Sequence, residues 1–341
     1  MSELTSIANF TVSNNCNGRC TTCNIWKMDP RPDPTLKQIS GFFDENRETL
    51  RKLKFIQLTG GEPFLRDDLP EIASIVHEAA PKCMIWIPTN GLLPEKIHET
   101  TMEILRRTDK HVIGVTISLD GEGEAHDIQR GIDGSYMKAV RTLKSLSDLK
   151  KKTGRLHLST GFTLTPNNYI QAPLVQRLTY RYGADFSIRP VNVSEHYYQK
   201  MEQNNVLDPD EVWKTVRYLA HLVKNEKGMF NSLTMLAYLK GIKEFIGEGR
   251  TLPCSAARES VFIDGVGDVF PCIVMNHKLG NAYETPLKEI LASEETRKAC
   301  EAISELQCPT CWLECEVYRD IRKDWRRLLD AYWWGFNQFA L

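Results

Sequence analysis

Three cysteines, Cys16, Cys20 and Cys23, fall close together in the stretch "SNNCNGRCTTCNIW". Three thiolates can hold three irons of a four-iron, four-sulfur cube and leave the fourth iron open. An open coordination position separates a reactive metal centre from a closed structural one. The same spacing also suits part of a zinc site with a distant fourth ligand, and the run alone does not choose. A second group, Cys254, Cys272, Cys300, Cys308, Cys311 and Cys315, lies toward the other end, and Cys83 stands apart. The opening "MSELTSIANF" has neither the charged nor the apolar region of a signal peptide. The protein is therefore expected in the cytoplasm, where thiols stay reduced and clustered cysteines ligate metals rather than form disulfides.

Further groups suited to chemistry recur at regular intervals. "LTGGEPFL" brings Gly60, Gly61, Glu62 and Pro63, "TNG" brings Asn90, and "SLDG" brings Ser118 and Asp120. Paired glycines let backbone approach a ligand, and a carboxylate beside them accepts from an ammonium group. The elements that must position them read as strands near 6–13, 54–59, 84–90, 111–119, 155–165 and 184–190. Helical patterns fall near 35–50, 67–80, 94–108, 135–152 and 170–182. Alternation of this kind implies an α/β fold with a parallel sheet, either doubly wound or an incomplete barrel. Each polar cluster then follows a strand at its C-terminal end, the face where such folds build sites.

With 42% hydrophobic residues, 26% charged residues and a formal net charge of −1, the chain suits a large globular core and gives no nucleic-acid footprint. No apolar run reaches the length of a bilayer span.

"CNGRCTTC" and "TGGEP" together resemble the radical S-adenosylmethionine (SAM) superfamily over the first 190 residues or so. The resemblance implies a partial (β/α)6 TIM-like barrel and a [4Fe–4S] cluster on Cys16, Cys20 and Cys23. SAM would chelate the open iron and be cleaved on reduction to a 5′-deoxyadenosyl radical, which abstracts a substrate hydrogen. Gly60, Gly61 and Glu62 would bind the methionyl amino group and Ser118 would lie near the ribose, with Pro63, Asn90 and Asp120 on the same face. Asp120 either reaches the site or braces its turn. The family often places an aromatic residue before the third cysteine. Here it is Thr22, so adenine contacts, from Ile25 or Trp26 among others, stay unassigned. "EAHDIQRG" resembles a run in radical SAM enzymes with C-terminal cysteine domains. Arg130 would pair with the SAM carboxylate or form a surface ion pair, and Asp127 would cap a turn.

The pattern C-x12-G-x4-C from Cys254 to Cys272, followed by "CPTCWLEC", resembles SPASM and twitch extensions, which hold auxiliary clusters. A zinc ribbon has similar ingredients. The single-cluster twitch form is expected, with a second [4Fe–4S] cluster on Cys254, Cys272 and two of Cys308, Cys311 and Cys315. The thiol left over is either buried packing or a hydrogen-atom donor, the latter giving Cys315 a catalytic role. Cys83 and Cys300 read as inert core thiols. The expected segments are a core barrel at 1–190, a helical connection at 191–250, the auxiliary domain at 251–316 and an amphipathic helix at 317–341.

Arg189, ending the sixth strand, is positioned as a base or an anion-binding group, with a barrel-mouth salt bridge as its structural alternative. Glu195 and His196 are weaker candidates. An auxiliary cluster supplies an electron sink, so two-electron oxidation of a small sugar-like or lipid substrate is expected. A cluster loop beginning at residue 16 leaves no preceding recognition domain of the kind peptide-modifying members carry. Epimerase, peptide maturase and non-catalytic carrier are the rivals. A flavodoxin- or ferredoxin-type reductant is implied. In the tail, Trp325, Leu328, Leu329, Tyr332, Trp333 and Phe336 form an apolar stripe expected to pack on the body of the protein.

Overall fold

The computed structural model describes residues 7–28, 31–108, 111–198 and 207–337. Residue 6 of the first expected strand and 338–341 of the tail helix lie outside them. Strands β1 (Ile7–Ser13), β2 (Phe55–Gly60), β3 (Met84–Thr89), β4 (Ile113–Ser118), β5 (Leu156–Leu164) and β6 (Asp185–Pro190) form within a residue or two of the expected bounds. They are parallel neighbours in the spatial order 6-5-4-3-2-1. The sheet is an open partial barrel rather than a closed one.

Period-two patterning explains the two faces. On β1, Ala8, Phe10 and Val12 are fully buried, and Phe10 packs on Phe42 and Phe43 at 5.2 and 5.5 Å. Those rings belong to α1 (Leu36–Glu45), which opens on a Thr35–Gln38 capping box. The opposite face is polar. Strand registers place Asn9, Gln57, Trp86, Gly114 and His157 in one row, and Ser118, Gly161 and Ser187 in a higher one. Trp86 lies flat across Gly114, where an added Cβ would sit 2.0 Å from the indole. Its Nε1 donates to Thr116 at 2.5 Å, and Thr116 shares a hydrogen bond with Ser159.

Helices α2 (Arg47–Leu50), α3 (Leu69–Ala79), α4 (Pro94–Arg107), α5 (Glu124–Arg130), α6 (Ser135–Thr153) and α7 (Ala172–Arg181) complete the barrel layer. The expected helix over 35–50 is divided at Asn46, whose Oδ1 accepts from the amide of Leu287, far along the chain. The short α5 was not expected. It runs between Gly123 and Gly131, both with positive φ, and is too short for helical periodicity to reveal.

Beyond the barrel, α8 (Pro209–Lys227) is N-capped by Asp208 and packs on α9 (Met229–Glu248). The hairpin β7 (Ser260–Ile263) and β8 (Asp268–Phe270) forms around Gly265 and Gly267, followed by β9 (Gly280–Asn281). Strand β7 pairs in parallel with β1, so barrel and hairpin share one nine-stranded sheet. Then come α10 (Leu287–Ala292), α11 (Glu294–Ser304), α12 (Glu314–Lys323) and α13 (Trp325–Asn337).

The tail departs from expectation. Trp325, Leu329, Trp333 and Phe336 are at least half exposed or nearly so. The side of α13 that meets α9 instead carries Leu328, Ala331, Trp334 and Gly335. A Cβ on Gly335 would come within 3.0 Å of Leu236, so close helix approach selects small residues there over the wide aromatic stripe. No described helix is long and apolar enough to cross a membrane.

Candidate active site and cysteine pockets

The loop after β1 is clamped on two sides. From β2, the amides of Gly61 and Glu62 donate to the carbonyls of Ser13 and Asn15, both at 2.8 Å. A Cβ on Gly60, at φ +121°, would lie 2.0 Å from the Ser13 oxygen, and one on Gly61 would lie 2.1 Å from the Asn15 oxygen. Only glycine permits that approach. From α5, the carbonyls of Arg130 and Gln129 accept from the amides of Arg19 and Thr21 at 3.2 and 2.9 Å. Gly131 lies against the Arg19 carbonyl, which an added Cβ would meet at 2.4 Å.

Within the clamp, Gly18 sits beside two of the thiols: a Cβ there would lie 3.3 Å from Cys16 Sγ and 3.5 Å from Cys20 Sγ. The Gly18 amide donates to Cys16 Sγ at 3.3 Å. Arg130 donates to Cys20 Sγ at 3.6 Å. In the absence of metal, burial pushes the Cys16 and Cys23 thiols up to about 11 and about 12. Thiols with N–H groups and a guanidinium aimed at sulfur, around space a side chain would fill, fit iron–sulfur ligation.

Glu62 is fully buried and spends both oxygens. Oε1 accepts from Thr89 Oγ1 and the Phe64 amide, and Oε2 accepts from the Asn90 amide at 2.7 Å. Burial pushes its carboxyl up to about 7, against the pull of those hydrogen bonds. Pro63 is buried at the start of a short turn that Glu62 caps. Asn90 donates to Asn17 at 2.7 Å, tying the third strand to the cysteine loop. Ser118 ends β4 half-buried. Asp120 does more than brace its turn. Oδ1 accepts from the Thr163 amide and Oδ2 pairs with Arg130 at 2.6 Å. Arg130 is thus no surface group, with its side chain 13% exposed. Asp127 does cap the next turn, accepting from Gly134, Ser135 and Tyr136.

Arg189 and Ser187 share the polar face of β6, and Ser187 donates to Glu314. Arg189 makes no hydrogen bond or ion pair with a described residue, so the expected alternative of a mouth salt bridge is absent among them. Burial weighs against its charge, but Glu314, Tyr198 and Asp120 outweigh it and keep the guanidinium charged.

Cys254, Cys272, Cys308 and Cys311 line one pocket, with Arg250 and Glu316 in its wall. The amides of Val274 and Met275 point at Cys272 Sγ at 3.4 and 3.3 Å. Thr310, between the last two of these cysteines, is left-handed at φ 42°, uncommon for a β-branched residue. Cys315 does not line that pocket; it is half-buried against the Val274, Cys311 and Leu313 cluster, in the electrostatic reach of Glu316, Cys311, Glu314 and Cys272. Among the described residues no three Cys, His, Asp or Glu side chains converge tightly enough for a single metal ion. Cys83 is buried at the N-terminal end of β3, opposite the clusters of polar residues, and Cys300 packs on the core.

The segment 194–198 ties the two cysteine groups. His196 Nε2 bonds the Cys272 carbonyl at 3.1 Å, and its ring stacks on Phe270 at 4.3 Å. Tyr197 Oη shares a hydrogen bond with Thr59 at 2.8 Å. The Tyr198 carbonyl accepts from the Asn24 amide, beside Cys23. The hairpin turn also reaches across, with Gly265 against Asn14. Sequence reasoning missed other supports. Asp33 accepts from the Asn14 amide at 2.7 Å and from Asn15, and buried Arg66 donates to the carbonyls of Val12 and Pro34. Trp26 donates to the Cys20 and Cys23 carbonyls between the Arg19 and Lys27 cations. Arg66 follows "GGEPFL" closely enough to have been noticed; Asp33, in a proline-rich run, carried no such signal.

Residues 10–169 match the family model of the radical SAM superfamily, and residues 254–316 match that of SPASM, an iron–sulfur cluster-binding domain. The AdoMet-dependent heme synthase of Methanosarcina barkeri is 24% identical over 87% of this chain and 85% of its own. The mycofactocin maturase MftC of Mycobacterium ulcerans is 28% identical over 75% of this chain, which spans only 65% of that protein. In fold, the chain is similar to Streptococcus suis SuiB bound to S-adenosylmethionine, with a TM-score of 0.65 and 18% identity, over 90% of this chain and 71% of that one. The chain belongs to the radical SAM superfamily and carries a C-terminal SPASM domain, which makes a SAM-binding [4Fe–4S] cluster and an auxiliary cluster its cofactors.

Proposed function

We propose that the protein is a radical SAM enzyme that oxidises a peptide, with the auxiliary cluster taking up the electron left after hydrogen abstraction. Peptide is preferred over the expected sugar-like or lipid substrate because of the named relatives: mycofactocin maturase and the subtilosin biosynthesis protein AlbA of Bacillus subtilis. A second reading, on a heme precursor, is favoured by the alignment with the heme synthase over most of that protein's length.

The observation that carries the reading is the polar face of the open sheet. It carries a clamped three-thiol loop at one side and, at the other, a charged Arg189 that forms no ion pair with a described residue. Cys16, Cys20 and Cys23 would hold the first cluster. Bound SAM supplies a 5′-deoxyadenosyl radical for hydrogen abstraction. Gly60, Gly61, Glu62, Pro63, Asn90, Ser118, Asp120 and Arg130 form the wall in which SAM would be bound and oriented. Arg189 would orient an anionic part of the substrate; charged as it is, it serves poorly as a base. Cys254, Cys272, Cys308 and Cys311 would hold the auxiliary cluster, leaving Cys315 as the spare thiol. A flavodoxin- or ferredoxin-type protein would supply electrons.

Reduced, iron-loaded protein should convert SAM to 5′-deoxyadenosine and methionine, and the Cys16/Cys20/Cys23→Ala variant should not. Peptides encoded beside the gene should yield a product lighter by two hydrogens, with no deuterium taken up from heavy water at the reacting carbon. Deuterium there would favour epimerisation, and fully loaded protein that never cleaves SAM would favour a carrier.

A further inference from the structure

Each cysteine group has an arginine behind one thiol, and behind each arginine stands a buried aspartate. At the first, Arg130 Nη1 lies 3.6 Å from Cys20 Sγ, while Nη2 holds Asp120 at 2.6 Å. At the second, Arg250 Nη1 lies 3.8 Å from Cys311 Sγ, while Nη2 holds Asp320 at 3.3 Å. The side chains are 13% and 1% exposed for the first pair and 1% and 6% for the second. In each case one terminal guanidinium nitrogen faces sulfur and the other holds the aspartate. Each ion pair is therefore oriented with its positive end at a thiol, in surroundings that screen poorly.

We infer that Arg130 and Arg250 are positioning residues that raise the reduction potentials of the two clusters, one each, by N–H···S contact at Cys20 and Cys311. The inference rests on the two-cluster assignment above. A reduced cluster carries one more negative charge than its oxidised form, so a fixed cation beside a ligand sulfur stabilises reduction. The second site holds an opposing group. Glu316 lines the same pocket, 1% exposed, accepting from Ser260 Oγ at 2.8 Å and paired with Arg319 at 2.5 Å. Its charge works against reduction of the auxiliary cluster, opposite in sign to Arg250. This role for Arg130 differs from SAM carboxylate binding, because its contacts are to a thiol and to protein.

The test is a potentiometric titration of the anaerobically reconstituted full chain, followed by electron paramagnetic resonance with each cluster resolved. Arg130→Gln should lower the midpoint of the first cluster alone. Arg250→Gln should lower the second alone, and Glu316→Gln should raise the second. Arg130→Lys and Arg250→Lys, which keep the charge, should shift less than the Gln variants. Iron-replete variants with unmoved midpoints overturn the inference, as does an Arg130→Gln protein that loses only SAM affinity. Should a Gln variant lose its iron, wild-type protein grown on 15N-arginine decides. Each reduced cluster should show a nitrogen coupling, and absence from both clusters overturns the inference. Wild-type protein that assembles no iron would instead remove the functional reading beneath it.

Discussion

Gly61→Ala tests the clamp that holds the cysteine loop. The new Cβ would sit 2.1 Å from the Asn15 carbonyl oxygen and 3.1 Å from Cys16 Cβ. Ordinary carbon–oxygen contact needs about 1 Å more, and interiors packed at crystal density do not yield it freely. The loop must retreat, and its hydrogen bonds from the Gly61 and Glu62 amides stretch or break. Two such bonds at about 1 kcal/mol each, plus an overpacking cost of similar size, give about 3 kcal/mol. That corresponds to a roughly 100-fold shift toward an opened loop, at 1.4 kcal/mol per decade. Reconstituted wild type should bind about eight irons per chain, and the variant about half of that, with the auxiliary site still filled. Hydrogen exchange should accelerate roughly 100-fold at the Gly61 and Glu62 amides while the β4–β5 amides stay protected. Full iron with wild-type exchange at those two amides would refute the clamp. Full iron with weakened SAM binding would assign Gly61 to the ligand instead.

Two other outcomes follow from the geometry. Cys308→Ala or Cys311→Ala should empty the auxiliary site, whereas Cys315→Ala should keep its iron, as measured by iron content and spectra; loss of iron in the last would place Cys315 among the ligands. His126 is held down to about 4 by burial and the nearby Arg130 charge, below its usual 6.5. The unfolded chain therefore binds the extra proton between those values, and stability should fall by about 3 kcal/mol as pH drops from 6.5 to 4. His126→Gln should flatten that part of the urea-midpoint profile against pH, and an unchanged slope would exclude the histidine as its source.

The barrel was legible because its signals are local. The β-branched runs alternate with helical patterns, and the polar clusters at Gly60, Asn90 and Ser118 mark strand ends without any tertiary knowledge. Long-range partners were not legible. Nothing near Asn46 shows that its side chain will take the amide of Leu287, or near Asp33 that it will brace Asn14. The aromatic stripe of α13 misled because helical periodicity says that a face is apolar, not that a neighbour has room for it. The neighbouring α9 accepts Gly335 and Ala331 closely and leaves Trp333 54% exposed. That Cys254, Cys272, Cys308 and Cys311 line one pocket fits the expectation drawn from the resemblance, which left open which two of the last three cysteines join the first two. The left-handed backbone at Thr310, between Cys308 and Cys311, is a local feature that no propensity announces.

The pairing of β7 with β1 has a consequence for how the molecule is assembled. Ile7 lies opposite Ser260 and Phe10 opposite Ile263, so one edge of β1, the strand that leads into the cysteine loop, stays bare until the chain has been made past residue 263. Contacts this distant in sequence slow folding, and an uncovered strand edge meanwhile invites mispairing with other chains. Cutting the chain before the hairpin would not release a free-standing barrel. It would leave an adhesive edge next to the loop that carries Cys16. Cluster delivery is then best timed late, when the strand that leads into the first site has been sealed by the segment that bears the second.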